Sequence, residues 1–152
     1  MTRVPGINLR FGLLALIKSD LDISYPGTFR GLAATIYNPS IRAQILLRLA
    51  QRSPAWLFWI PRNLLITFHS IDVGRGFEIG RGVSLPHPVS IVIGGGVSIG
   101  EGCRIFQGVT LGQAKGAYPI INDNVTIYPN AVVVGAVEVK EGARIRAGSF
   151  IY

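Results

Sequence analysis

Residues 91–112 read IVIGGGVSIGEGCRIFQGVTLG, and within them Ile93, Ile99, Ile105 and Leu111 fall six apart. The same step runs outward through Val73, Ile79 and Leu85 on one side and through Ile121, Ile127, Val133, Val139, Ile145 and Ile151 on the other. An amphipathic helix places apolar residues about 3.6 apart and a half-buried strand about 2 apart, so neither produces this period. A three-sided solenoid does. Each hexapeptide forms one flat side, its aliphatic residue points into the prism, and a following Gly, as in Ile79-Gly80 or Ile99-Gly100, eases the corner. Small or β-branched residues four places on, such as Val83, Val97, Val109, Val125, Ala131 and Ala143, fill the remaining interior. Three hexapeptides close a coil of about 18 residues, and coils stacked in parallel pair their backbones with the coil above and below.

Residues 1–66 follow a different rhythm. Leu13, Leu14, Leu16 and Ile17, and again Ile41, Ile45, Leu46 and Leu49, stand at helical spacing. The expected architecture is therefore mostly β, a parallel β-helix over 67–152 behind an N-terminal α-helical cap over 1–66. Such a cap would cover the unpaired backbone of the first coil. Ser40 is expected to cap one helix and Tyr25-Pro26-Gly27 to form a turn. The sequence stops at Ile151-Tyr152 within a hexapeptide, which predicts a truncated end or an edge covered by another chain.

The formal net charge of +7 admits nucleic acid, anionic membrane or a phosphorylated small molecule as a partner. Arg and Lys are scattered singly through both halves with no aromatic platform between them, which excludes a nucleic-acid groove. No apolar run reaches the roughly 20 residues a membrane span needs, because Ala55 to Phe68 is cut by Pro61 and Arg62. Trp56, Phe58 and Trp59 could touch a membrane surface, a reading ranked below a cytoplasmic protein without membrane contact. The run Phe11 to Ile17 lacks the small-residue site of a signal peptide. Cys103, the single cysteine, sits at a small-residue position of its hexapeptide and reads as interior packing.

Chemistry enters where the period breaks. The step from Leu85 to Ile93 is eight residues, and the insertion in Pro86-His87-Pro88-Val89-Ser90 should turn His87 outward. The step from Leu111 to Ile121 is ten, so Gln113 to Tyr118 should leave the prism as a loop. An imidazole held between two prolines on a rigid scaffold suits proton transfer near neutral pH. Asp72 precedes His87 by 15 residues, three short of a coil, and is the candidate carboxylate to orient it. His69, one coil length before His87, reads as structural. A zinc hydrolyase on such a prism would need three imidazoles at one metal, and only His69 and His87 exist, so no metal is expected.

At these residues the chain resembles the serine O-acetyltransferase family of left-handed β-helix acyltransferases, especially its shorter forms found with exopolysaccharide genes. The resemblance is carried by Ile71-Asp72-Val73, Ile79-Gly80-Arg81-Gly82-Val83, Leu85-Pro86-His87 with Ile91-Val92-Ile93-Gly94, and Gln107-Gly108-Val109-Thr110-Leu111-Gly112. It implies a left-handed coil and an acetyl-CoA-dependent O-acetyltransferase, with His87 as general base and Asp72 as its orienting carboxylate. It further implies that backbone at Gly112, Pro129 and Ala147 contacts CoA along the seam of a homotrimer, or of a dimer of trimers. Lys115, Lys140 and Arg146 are candidate partners for the CoA phosphates by charge. Two positions depart from the family: Pro86 stands where an acceptor-binding Asp precedes the catalytic His, and Tyr118 where a second His lies. Asp20 or Asp22 is the candidate replacement carboxylate. Serine is the expected acceptor, a sugar hydroxyl of exopolysaccharide or capsule the alternative, and an inactive or scaffold subunit the third reading.

Overall fold

A computed structural model describes residues 12–24 and 37–152; the Tyr25-Pro26-Gly27 turn lies outside them. Among these residues three helices come first, α1 (Leu13–Ser24), α2 (Pro39–Arg52) and α3 (Trp59–His69). Twelve short strands follow and wind into a parallel β-solenoid of about four turns. Its first face stacks β1 (Asp72–Val73), β3 (Val92–Ile93), β6 (Thr110–Gly112), β9 (Val132–Val134) and β12 (Phe150–Ile151). The second stacks β2 (Glu78–Ile79), β4 (Ser98–Ile99), β7 (Ile120–Ile121) and β10 (Glu138–Val139), and the third β5 (Arg104–Ile105), β8 (Thr126–Ile127) and β11 (Arg144–Ile145). A bridge from Ser84 to Arg104 starts the third face one coil earlier.

Register carries the sixfold period into three interior columns. Val73, Ile93, Leu111 and Val133 stack on the first face, Ile79, Ile99, Ile121 and Val139 on the second, and Ile105, Ile127 and Ile145 on the third. Most of these side chains are fully enclosed, each worth about 1.5–3 kcal/mol relative to exposure. Val83, Val97, Cys103, Val109, Val125 and Ala131 fill the space between columns, as their spacing predicts.

Glycine serves the coil in two separate ways. The glycine right after the aliphatic residue admits the next coil: a Cβ on Gly80 would lie 2.6 Å from the Glu101 nitrogen. The left-handed turn falls two residues later, and at the corner from third to first face it is taken by Ser90, Gly108, Asn130 and Gly148 at φ 56, 70, 59 and 67°. The corner therefore turns on a different residue from the one that marks the repeat.

The helical cap completes the first coil with side chains rather than backbone. Alternate residues of the coil pair with the coil above, as where the Asp72 N–H donates to the Ile91 carbonyl at 2.9 Å and Ser84 O accepts from Ile105 N–H at 3.0 Å, and residues between them turn their carbonyls to the cap. Arg48 and Gln51 donate to Ile79 O at 2.8 and 3.0 Å, Gln44 to Val83 O at 3.3 Å, and Ser40 Oγ to Pro86 O at 3.1 Å. Ser40 is thus inside the helix and not its cap. The cap is Asn38, whose Oδ1 accepts from the Ser40 N–H at 2.9 Å, because Pro39 at the first helical position has no N–H to satisfy.

Candidate active site

The eight-residue step forms a bulge at the corner between third and first faces. Val89 N–H donates to the His87 carbonyl at 2.9 Å, Gly108 N–H donates to Val89 O at 3.0 Å, and Ser90 takes the left-handed turn. His87 stands exposed on this corner, as its flanking prolines and the broken period predict. Beneath the bulge lies His69, the last residue of α3 and 97 % enclosed at 3 % exposure. Burial foremost, and then the neighbouring Arg42 guanidinium, hold its pKa below the ordinary imidazole value, against a hydrogen bond to the Pro88 backbone that raises it. Arg42 Nε donates to its Nε2 at 3.3 Å, so the neutral ring carries its proton on Nδ1. His69 is a brace under the bulge, in line with its structural reading.

Asp72 sits on β1, one coil below Val92. Arg62 of α3 grips it, Nε at 2.9 Å and the terminal nitrogen at 2.8 Å, both on Oδ1. No hydrogen bond between Asp72 and His87 occurs among the described residues. Above His87 the corner carries a ring ladder, with the imidazole 6.3 Å from Phe106 and Phe106 stacked 5.4 Å from Tyr128. Arg62 and this ladder escaped sequence reasoning. Phe106 and Tyr128 were findable, since both follow an interior isoleucine of the third face directly; Arg62 belongs to no period.

Pro129 and Ala147 lie on the same corner, where Gly148 N–H donates to Pro129 O at 2.9 Å. Gly112 lies at the opposite end of the first face, in register with Val134. There the ten-residue step leaves the prism as a hairpin. Ala114 and Ala117 exchange both hydrogen bonds at 3.0 Å around Lys115 and Gly116, whose positive φ values of 49 and 81° make a mirror-image turn. Lys115 Nζ lies 4.9 Å over the Tyr152 ring, and Tyr118 packs its ring against the backbone of Gly94 and Gly96. Arg146 shares the His87 corner, whereas Lys140 follows β10 and occupies the corner between second and third faces.

Asp20 cannot serve an acceptor. It is buried at 3 % exposure and accepts from Arg48 at 2.7 and 2.9 Å and from the Gly82 N–H at 2.9 Å, so its oxygens are already engaged. Asp22 remains exposed. Cys103 is fully buried with its thiol donating to Asn122 O at 3.1 Å, and burial pushes its pKa up to about 11. At pH 8 its thiolate should be about a hundredfold scarcer than that of a free thiol. Iodoacetamide labelling is expected to wait for unfolding, and rapid modification of native protein would contradict the packed position.

The hexapeptide family model, bacterial transferase hexapeptide (six repeats), matches residues 118–152. A serine acetyltransferase from Neisseria gonorrhoeae, solved in complex with serine, superposes with a TM-score of 0.76 at 27 % identity, over 91 % of this chain and 61 % of that one. This chain has the hexapeptide-transferase fold and is similar to the serine acetyltransferases. Its coil is the left-handed β-helix of hexapeptide repeats, opposite to the usual hand of parallel crossovers. Serine acetyltransferase 1 of Entamoeba histolytica, in complex with L-cysteine, gives a TM-score of 0.61 at 26 % identity over 92 % of this chain and 63 % of its own. A serine acetyltransferase complex with CoA shares the fold, with a TM-score of 0.73 at 24 % identity over 91 % and 61 % of the two chains. The chain thus spans about three-fifths of the length of these family structures. No curated protein matches it by sequence.

Proposed function

We propose that the chain is an acetyl-CoA-dependent O-acetyltransferase with serine as acceptor and His87 as general base. The observation that carries this reading is the likeness to a serine-bound acetyltransferase across 91 % of the chain, with an exposed imidazole on the corner that the sequence singles out. In the proposed reaction His87 takes the acceptor hydroxyl proton as the oxygen attacks the thioester carbonyl. The new ester C–O bond forms, the C–S bond breaks, and CoA leaves as a thiol after receiving the proton. No covalent enzyme intermediate is needed.

Asp72 is proposed to orient the imidazole. Both Arg62 contacts fall on Oδ1, which leaves Oδ2 to accept from the imidazole N–H and fix its tautomer. CoA is proposed to run along the His87 corner past the Pro129 and Ala147 backbone, with Gly112 supplied at a seam between protomers of a trimer. Arg146 on that corner and Lys115 on the hairpin are the cations proposed for its phosphates.

A sugar hydroxyl is the second reading, and the bulge itself favours it. Pro86 to Ser90 holds no carboxylate and Asp20 is sealed inside, so the ammonium of an amino-acid acceptor finds no anion from either. Release of free CoA thiol from acetyl-CoA, measured with serine and with a panel of sugars, tests both. Turnover with serine supports the leading reading, and turnover with sugars alone replaces it by the second. No release with any acceptor, together with no saturable heat on CoA titration, would leave a scaffold.

A further inference from the structure

The two residues of the proposed catalytic pair are both approached by one face of α3. Arg62, Leu65 and His69 recur along that helix at the three- and four-residue steps that keep side chains on one side. Leu65 and His69 are buried, at 0 % and 3 % exposure, so this side lies inward. At the end of the helix His69 carries the bulge that bears His87. Its carbonyl accepts from the Ser90 N–H at 3.2 Å, and its ring is hydrogen-bonded to the Pro88 backbone. Seven residues earlier, Arg62 carries the carboxylate.

The form of that grip matters. Arg62 Nε donates to Asp72 Oδ1 at 2.9 Å and to the Val73 carbonyl at 3.2 Å, and a terminal nitrogen lies 2.8 Å from the same Oδ1. The Val73 carbonyl belongs to the backbone of β1, so it fixes the plane of the guanidinium, and the planar guanidinium in turn fixes the rotation of the carboxylate. A fork that met both carboxylate oxygens would occupy the pair of acceptors at once. This one takes a single oxygen. With side chains 37 % and 48 % exposed, the ion pair contributes little to folding, and its consequence lies in how it turns Asp72.

We infer that Arg62 is a positioning residue for acetyl transfer, holding one oxygen of Asp72 so that the other is presented to His87. The inference rests on the proposed roles of Asp72 and His87. It makes the helical cap a working part of the active site as well as the cover of the first coil.

The test is a double-mutant cycle on the full chain, assayed with acetyl-CoA and the acceptor that turns over. Arg62→Met is expected to lower kcat about tenfold while KM for acetyl-CoA stays within about twofold, because the residue acts on orientation and not on binding. Its melting temperature should remain within about 4 °C of the parent. Arg62→Lys, which keeps a cationic donor, should recover kcat to within about threefold of the parent. In an Asp72→Asn background the Arg62→Met change should cost almost nothing further, since its effect passes through that carboxylate. A second readout needs no turnover. The imidazole N–H resonance of His87, assigned by its absence from His87→Ala, should be protected from solvent exchange in the parent and lose that protection in Arg62→Met. Three outcomes each overturn the inference: parent kcat in Arg62→Met, an equal loss in the Asp72→Asn background, or a His87 N–H whose protection does not depend on Arg62. Parent kcat in Asp72→Asn would instead remove the proposed pair itself, whereas an impaired Asp72→Asn beside an unaltered Arg62→Met would sink this inference alone.

Discussion

Replacing His87 with Ala is expected to lower kcat for acetyl transfer by about 10²–10⁴-fold while leaving the solenoid folded. The ring stands exposed on its corner, and its recorded ring contact is with Phe106 at 6.3 Å, so its loss opens no cavity in the core. The bulge keeps its shape because its hydrogen bonds, from Val89, Ser90 and Gly108 N–H, run through backbone. CoA titration heat should persist, since the proposed CoA contacts are backbone at Gly112, Pro129 and Ala147. Activity within a few fold of the parent would remove His87 from the reaction. Loss of activity accompanied by unfolding would show the residue to be structural instead.

Arg48→Met is expected to destabilise the fold by about 3–5 kcal/mol, the range for stripping one partner from a buried ion pair. Arg48 and Asp20 are 2 % and 3 % exposed in their side chains, and the guanidinium also serves the carbonyls of Ile79 and Gly80. Met fills most of the volume but donates to none of these acceptors. The orphaned Asp20 carboxylate keeps only backbone amides, of Gly82 and Val83. Burial already raises the Asp20 pKa, against the pull of Arg48 and the Gly82 amide, and without Arg48 the rise should be larger. The folded state of the variant then holds a proton that the unfolded chain releases, so the deficit should be greatest near neutral pH and shrink on acidification. Thermal unfolding followed by circular dichroism reads the effect, about 2–4 °C per kcal/mol for a chain of this size. A variant within 2 °C of the parent at neutral pH would show that the pair does not anchor the cap.

The prism was legible because one interaction dominates it. Each aliphatic residue of the sixfold ladder from Val73 to Val139 is needed inside, so the spacing writes the coil directly into the chain, and the two breaks in spacing mark the two places where backbone leaves the prism. The outward placement of His87 was legible for the same reason, since the break takes it off the interior ladder. The Arg48 anchor was not, because Arg48 and Asp20 are 28 residues apart and bond to carbonyls that belong to every residue type alike. Arg62 was hidden similarly, ten residues from Asp72 and on an element with a different period. The helix start was misread by two residues because Asn, Pro and Ser adjoin at 38–40, and only the missing N–H of Pro39 decides between Asn38 and Ser40.

The side chains that α2 extends to Ile79, Val83 and Pro86 also set the length of the molecule. Each carbonyl they occupy is a rung on which a further coil could grow, and a row of such rungs left open is a template for end-to-end addition of other prisms. By spending Ser40, Gln44, Arg48 and Gln51 on that row, the helix converts a potentially endless fibre into a particle with a fixed beginning.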